Sequence, residues 1–274
     1  MPDPVSPAGR QGPDALLGPL REAIREAAAL AMPFFNAGDQ TSARVWSKAG
    51  GSPVTEADVA VDTFLKIRLS EIDPSAAWLS EETSDDPVRL NSDRVWIVDP
   101  IDGTRAFLSG HPDWSIAVAL LERGQPLLGF VHAPALGIFY EAASGRGATR
   151  NGAGIAVSPR TALPGAGITG PKPMADRFVR GAGQDDFTRI PRVPSLALRV
   201  ARVAEGAIDI GLVSRDSRDW DLAAADLILR EAGGTVCTLD GAPAVYNRPE
   251  PKHGELIAVP NALKAATLKA LAAG

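Results

Sequence analysis

A chain of 274 residues, 45% hydrophobic and 22% charged, can bury one large core or two smaller ones that share a cleft. Its 28 Lys+Arg against 33 Asp+Glu leave a net charge of −5, which excludes the basic footprint of a nucleic-acid or anionic-membrane binder. The single cysteine, Cys237, excludes an intramolecular disulfide and a cysteine-based zinc site, and it suits a reducing compartment. No apolar run reaches the ~18 residues of a membrane span, and the opening MPDPVSPAGRQGPD lacks the basic start and apolar centre of a signal peptide. A cytoplasmic globular enzyme is expected. If its substrate is an anion, this acidic chain needs a local positive element or a bound cation to hold it.

Residues 1–14, dominated by Pro and Gly, are expected to be a disordered tail. From Ala15 to Phe35 the spacing is helical until Pro33 closes it. A second helix carries Ala57, Ala60, Val61, Phe64, Leu65, Leu69 and Ile72 on one face. Thr55 is its expected N-cap, with Glu56 and Asp58 in the first turn, where carboxylates are favoured. Residues 76–80 and 95–98 then read as buried strands. Three strand-like runs between Ser115 and Ala143, joined by short turns, predict an antiparallel meander. The Gly-rich stretch Ser144–Gly154 is the expected boundary between an N-terminal half, 15–145, and a C-terminal half, 146–274, of one functional unit. The second half alternates: a helix near Leu196–Glu205, a strand at Ile208–Val213 and a helix from Trp220 to Ala232. Strands at Thr235–Leu239 and Glu255–Val259 and a terminal helix follow.

The most informative text is Trp96-Ile97-Val98-Asp99-Pro100-Ile101-Asp102-Gly103-Thr104. A buried strand delivers Asp99 at its carboxyl end, where α/β proteins place ligands. Pro100 fixes the backbone and removes a donor, so Asp99, Asp102 and the Ile101 carbonyl can turn on one point. Gly103-Thr104 then open a short helix whose free N–H groups form an anion site. Asp-Pro and Asp-Gly are also common turn dipeptides, and Asp102 could simply cap that helix. Three further acids stand at element ends: Glu81 after a strand, Asp221 at the entry of an apolar helix and Asp58 in a first turn. Each reads singly as a cap or a solvated carboxylate. Converging, they would need hard cations, because carboxylates at contact distance repel and protonate.

These residues resemble the inositol monophosphatase superfamily of magnesium-dependent, lithium-sensitive phosphatases. The resemblance rests on Asp99 to Thr104, the acidic pair Glu81-Glu82 and Trp220-Asp221, in that family's order, and covers residues from about 15 to 270. It implies a layered α/β/α/β/α sandwich of mixed α/β class. It implies Glu81, Asp99 and the Ile101 carbonyl around one magnesium, Asp99, Asp102 and Asp221 around a second, and a third, looser ion shared by Glu81. Gly103 and Thr104 would hold the phosphate, Asp58 with Thr104 would orient the attacking water, and Lys48 would approach from its loop. Family members are often homodimers. No nucleic-acid polymer or membrane partner is expected.

Other signals are discounted. Gly165–Gly170 matches G-x-G-x-x-G without its strand–turn–helix context and reads as a flexible loop. His111, His132 and His253 are too scattered for a zinc motif, and Cys237 reads as a buried strand residue. Substrate clues come from two segments. Residues 47–58 (SKAGGSPVTEAD) and Leu79-Ser80-Glu81-Glu82 resemble the bacterial 3'(2'),5'-bisphosphate nucleotidases, and 210–221 lacks the glutamate with which inositol monophosphatases contact a ring hydroxyl. Arg215 and Arg218 could meet a second phosphate, or be solvated loop arginines. Adenosine 3',5'-bisphosphate is the expected substrate. The alternatives are an inositol or broader sugar phosphatase and, in another class, a catalytically silent metal-binding regulator.

Overall fold

Two amphipathic helices open the described part of the chain, residues 12–48, 51–183 and 185–274 of this computed structural model. Helix α1 (Pro13–Ala31) starts on a proline, where the missing N–H costs nothing, and runs into a single tight turn, Met32–Phe34, that contains Pro33. Pro13 and Asp14, expected in a disordered tail, therefore belong to a helix; residues 1–11 of that tail lie outside the described residues. A hairpin of β1 (Val45–Ser47) and β2 (Pro53–Thr55) leads into α2 (Glu56–Ile72), which Thr55 caps.

The next stretch builds one sheet in chain order: β3 (Ala77–Ser80), β4 (Arg94–Asp102), β5 (Ser115–Glu122), β6 (Gln125–Ala133), β7 (Ile138–Ala143), β8 (Ala148–Arg150) and β9 (Ala153–Ile155). Only the β3–β4 pair is parallel. Helix α3 (Thr104–Leu108) sits between β4 and β5. The Gly-rich stretch 144–154 thus carries β8 and the start of β9, the last two strands of this sheet, with β9 at its edge. A five-stranded sheet follows, ordered β11-β10-β12-β14-β13, with β10 (Ala166–Thr169), β11 (Phe187–Arg189), β12 (Ile210–Val213), β13 (Gly234–Thr238) and β14 (Leu256–Pro260). Its helices are α4 (Lys172–Ala182), α5 (Leu196–Ala204), α6 (Asp219–Glu231) and α7 (Lys264–Ala273).

The expected flexible loop at 165–170 is corrected here. Residues 166–169 are a buried strand, and Pro171-Lys172-Pro173 leads into α4, because proline suits the first turn of a helix. Gly165 precedes that strand, Gly167 lies within it and only Gly170 falls in the turn to α4, so the glycines do not line a strand-to-helix turn as the dinucleotide pattern requires.

Three apolar interfaces stack the layers. Leu16, Leu20 and Ile24 of α1 and Val61, Leu65 and Leu69 of α2 pack on Trp96, Val98, Ile116 and Phe130 of the large sheet. The opposite face, with Val95, Ile97 and Val131, meets α5 and α6 and, beyond them, Val236, Leu256 and Ala258 of the small sheet. That sheet's outer face covers Met174, Phe178 and Leu271 of α4 and α7. The order is α/β/α/β/α, as the resemblance implied. Because β4 is buried on both faces, it shows no polar alternation in sequence. Gly129 lets α6 lie on β6: a Cβ there would stand 2.5 Å from the Ala224 carbonyl oxygen.

Candidate active site

Residues i and i+3 of a regular strand point to opposite faces. In β4, Asp99 lies opposite Ala117 but Asp102 lies opposite Ser115, so three steps on β4 match two on β5. This bulge at Pro100–Ile101 returns both aspartates to one side. Across the cleft, the first turn of α6 supplies Asp221. One carboxylate oxygen from each of Asp99, Asp102 and Asp221 lies within 4.8 Å of the others.

Local bonds orient each acid. Asp99 Oδ1 accepts from the Ile101 N–H at 3.1 Å, while Asp99 Oδ2 is buried with no partner. Asp102 Oδ2 accepts from Ser195 Oγ at 2.5 Å and from the Ala197 N–H at 2.6 Å. Asp221 Oδ2 accepts from the Arg218 N–H at 2.6 Å. Asp58 Oδ2 accepts from the Thr55 N–H at 2.8 Å and Thr55 Oγ1 at 2.5 Å, and Thr104 Oγ1 stands 3.4 Å from Asp58 Oδ1. The capping reading of Asp58 and Asp221 therefore holds for one oxygen of each. It does not account for the second oxygen of Asp221, which accepts nothing among the described residues.

Burial pushes these groups toward neutrality. Desolvation first, then the charges of Glu81, Asp102 and Asp221, holds the Asp99 carboxyl well above the usual range. Burial and Asp102 do the same to Asp221. Burial lifts Asp102 to about 6 against the bonds from Ser195 and Ala197, and lifts Asp58 to about 6. Glu82 is pushed by burial to about 7. The Lys48 ammonium bridges Glu81 Oε1 at 2.9 Å and Glu82 Oε1 at 2.7 Å. A set of carboxylates and a carbonyl, with no His or Cys and an orphaned buried oxygen, fits a hard divalent cation.

Gly103 turns the chain out of β4 with φ 92°, and a Cβ there would lie 3.2 Å from the Ser195 nitrogen and 3.3 Å from the Asp113 carbonyl. Thr104 follows, its hydroxyl donating to the Ile101 carbonyl at 3.2 Å. Two hollows that share Ser52 and Glu81 in their linings open over this floor. The larger, about 670 Å³, is lined by Lys48, Glu81, Arg218, Trp220 and Asp221 among others. The smaller, about 340 Å³, is lined by Glu81, Gly103, Thr104, Arg105, Arg192 and Pro194 among others. Arg218 thus joins the cleft. Arg215 does not: it lines a separate depression with Thr238, Asp240 and His253, because Asp216, at φ 79°, turns the chain between the two arginines.

Sequence reasoning missed Ser195, Asp62, Arg105 and Arg192. Ser195 is a helix cap for α5, a signal that Ser before an apolar run does carry. Asp62 accepts from Ser80 and Thr83 hydroxyls and so braces the segment bearing Glu81 and Glu82. Within an apolar helix face nothing marks it. The three histidines serve locally: His253 Nε2 meets Asp219 at 2.8 Å, His132 Nδ1 meets the Ile138 carbonyl at 2.9 Å, and His111 Nδ1 accepts from the Asp113 N–H at 3.2 Å.

Residues 15–273 match the inositol monophosphatase family. The chain is 36% identical over 243 residues to the histidinol-phosphatase of Mycobacterium tuberculosis, covering 84% of this chain and 89% of that one. It is 33% identical over 218 residues to the 3'(2'),5'-bisphosphate nucleotidase CysQ of Aggregatibacter actinomycetemcomitans, covering 77% and 81%. The fold matches the IMPase of Thermotoga maritima with a TM-score of 0.78 at 30% identity, covering 92% and 94%. The chain belongs to the inositol monophosphatase family. Its activity class is magnesium-dependent phosphoric monoester hydrolysis. No helix among the described residues is long and apolar enough to cross a membrane.

Proposed function

We propose that this phosphatase is a 3'(2'),5'-bisphosphate nucleotidase that removes the 3'-phosphate of adenosine 3',5'-bisphosphate. One observation carries the reading. Around an acidic floor, Arg105, Arg192 and Arg218 line the cleft, and no guanidinium hydrogen bond engages any of them among the described residues. Such a site accommodates a scissile phosphate on cations and a second phosphate on a guanidinium. The SPVTEAD text at 52–58 and the relative named CysQ support it.

In this reading Asp99, Asp102, Asp221, Glu81 and the Ile101 carbonyl hold two or three magnesium ions. Bound there, the ions supply Lewis acidity toward the phosphoryl oxygens and a water of lowered pKa. The N–H groups of Gly103 and Thr104 bind the phosphate at the start of α3. Thr104 and Asp58 orient the attacking water, and Asp58 Oδ1 takes its proton; a carboxyl lifted to about 6 suits a base near neutral pH. Lys48 keeps Glu81 and Glu82 together at the rim. We place the reaction in the cytoplasm, consistent with a buried free Cys237.

The test is phosphate release with magnesium from adenosine 3',5'-bisphosphate, inositol 1-phosphate and histidinol phosphate. A kcat/KM at least tenfold higher for the nucleotide supports the reading. Equal or higher values for either other ester overturn it.

A further inference from the structure

We propose that Arg105 and Arg192 form a second-anion subsite beside the Gly103–Thr104 turn, which takes a phosphate on the part of the substrate that is not hydrolysed. The inference rests on the acidic cleft being the reaction centre, and it decides which wall of that cleft recognises the substrate.

Three arginines are available, and their surroundings separate them. The hollow containing Arg218 also contains Glu81, Asp85, Asp216 and Asp221, of which Glu81 pairs with Lys48, Asp85 with Arg89 and Asp216 with Lys252. Arg218 acts electrostatically on Asp216 and Asp221, and it lies 5.9 Å from the Trp220 ring. Its charge is already partly answered. The smaller hollow holds Arg105 and Arg192 against a single acid, Glu81. A second anion entering there meets two guanidinium groups whose one acidic neighbour is already bridged by Lys48, whereas in the larger hollow Arg218 faces Asp216 and Asp221.

The smaller hollow is also pre-shaped. Arg192 stands between Pro191 and Pro194, each with a fixed φ. On one side Ile190 N–H donates to the Ile168 carbonyl at 2.9 Å, and Thr169 Oγ1 donates to the Pro191 carbonyl at 3.2 Å. On the other, the buried Arg199 donates to the Val193 carbonyl at 3.1 and 2.8 Å. The segment presenting Arg192 is therefore tied down before any ligand arrives. Arg105 follows Thr104 directly in α3, so its guanidinium starts one residue from the phosphate-binding turn. Both side chains are exposed and donate no hydrogen bond among the described residues. Unpaired guanidinium groups carried on a backbone already held in place are suited to phosphate recognition.

The experiment compares matched esters with and without a second anion: adenosine 3',5'-bisphosphate against adenosine 3'-phosphate, and fructose 1,6-bisphosphate against fructose 1-phosphate. Wild type, R105Q/R192Q and R218Q are assayed with magnesium. The expected result is at least a tenfold kcat/KM advantage for the doubly charged member of one pair, reduced to about parity by R105Q/R192Q. R218Q should keep that advantage, and in R105Q/R192Q the loss of kcat/KM should be at least tenfold greater for the doubly charged ester than for its singly charged partner. The proposal is overturned if wild type shows no advantage in either pair, if the advantage survives R105Q/R192Q, or if R218Q alone removes it. An advantage confined to the fructose pair would retain the subsite and reject the nucleotide reading. Circular dichroism of R105Q/R192Q should match wild type, since neither side chain packs in the core.

Discussion

At the scale of the residue, the site is made of acids whose two oxygens do different work. Asp58 gives Oδ2 to the backbone and hydroxyl of Thr55 and keeps Oδ1 near Thr104. This division makes the two jobs separable by mutation. In Asp58→Asn the side-chain oxygen can still accept the Thr55 N–H, so α2 stays capped, but the group no longer takes a proton. Turnover should fall by roughly 10²- to 10⁴-fold, the span of general base catalysis, while the melting temperature shifts little. A variant that loses stability in step with activity would assign Asp58 to capping alone. At Gly103 one residue sets both fold and chemistry. A left-handed backbone with Ser195 and Asp113 backbone atoms at 3.2–3.3 Å from a would-be Cβ makes any side chain strained and forces its neighbours to give by a few tenths of an ångström. Gly103→Ala should lower unfolding free energy by about 1–3 kcal/mol and abolish most activity; a urea unfolding curve that superposes on wild type would contradict this.

At the scale of the element, what was legible in sequence depended on whether an element carries its own signal. Helix α2, with one apolar face and Thr55 before it, was readable to its cap. So were the β5–β7 meander and the alternation that follows Leu196. The short strands β1, β2, β8, β9, β10 and β11 were not, because three or four residues are too few for a period to show, whereas β3 and β12, equally short, stood out as apolar runs. Glycine and proline around the missed strands mimic loops, which is why 165–170 was misread. The acidic text at 99–104 announced its own chemistry, yet the bulge that turns Asp99 and Asp102 to one side appears only in the pairing with β5. Arg105, Arg192 and Arg215 look alike in sequence. Only the packing of α3, the 190–195 segment and the turn at Asp216 puts the first two at the cleft and the third away from it.

At the scale of the whole molecule, an acidic floor buried between β4 and α6 links stability to pH and metal. The folded, metal-free chain holds protons on Asp58 and Asp102 to about pH 6, and on Asp99 and Asp221 higher than usual, whereas the unfolded chain releases them near 4. Their contribution is fully present below the unfolded value and is lost as pH rises through about 6 and beyond. The metal-free melting temperature should therefore lose this contribution between pH 5 and 8. Magnesium competes with those protons, so its stabilising shift should be larger at pH 8 than at pH 5. Differential scanning fluorimetry at both pH values, with magnesium and with chelator, checks the sign. An equal shift at both would place magnesium on groups that do not titrate in this range.

The most direct test of the floor formed by Asp99, Asp102 and Asp221 is magnesium titration by calorimetry beside phosphate release, in wild type and Asp99→Asn. Asp99 belongs to the cluster and has a buried, unpartnered Oδ2, so losing its charge should weaken magnesium binding and cut turnover by about 10³-fold or more, several kcal/mol of transition-state stabilisation. The metal-free fold should survive, because the variant removes a buried carboxylate that repels its neighbours. Wild-type magnesium affinity and turnover in Asp99→Asn would place the reaction centre elsewhere in the molecule.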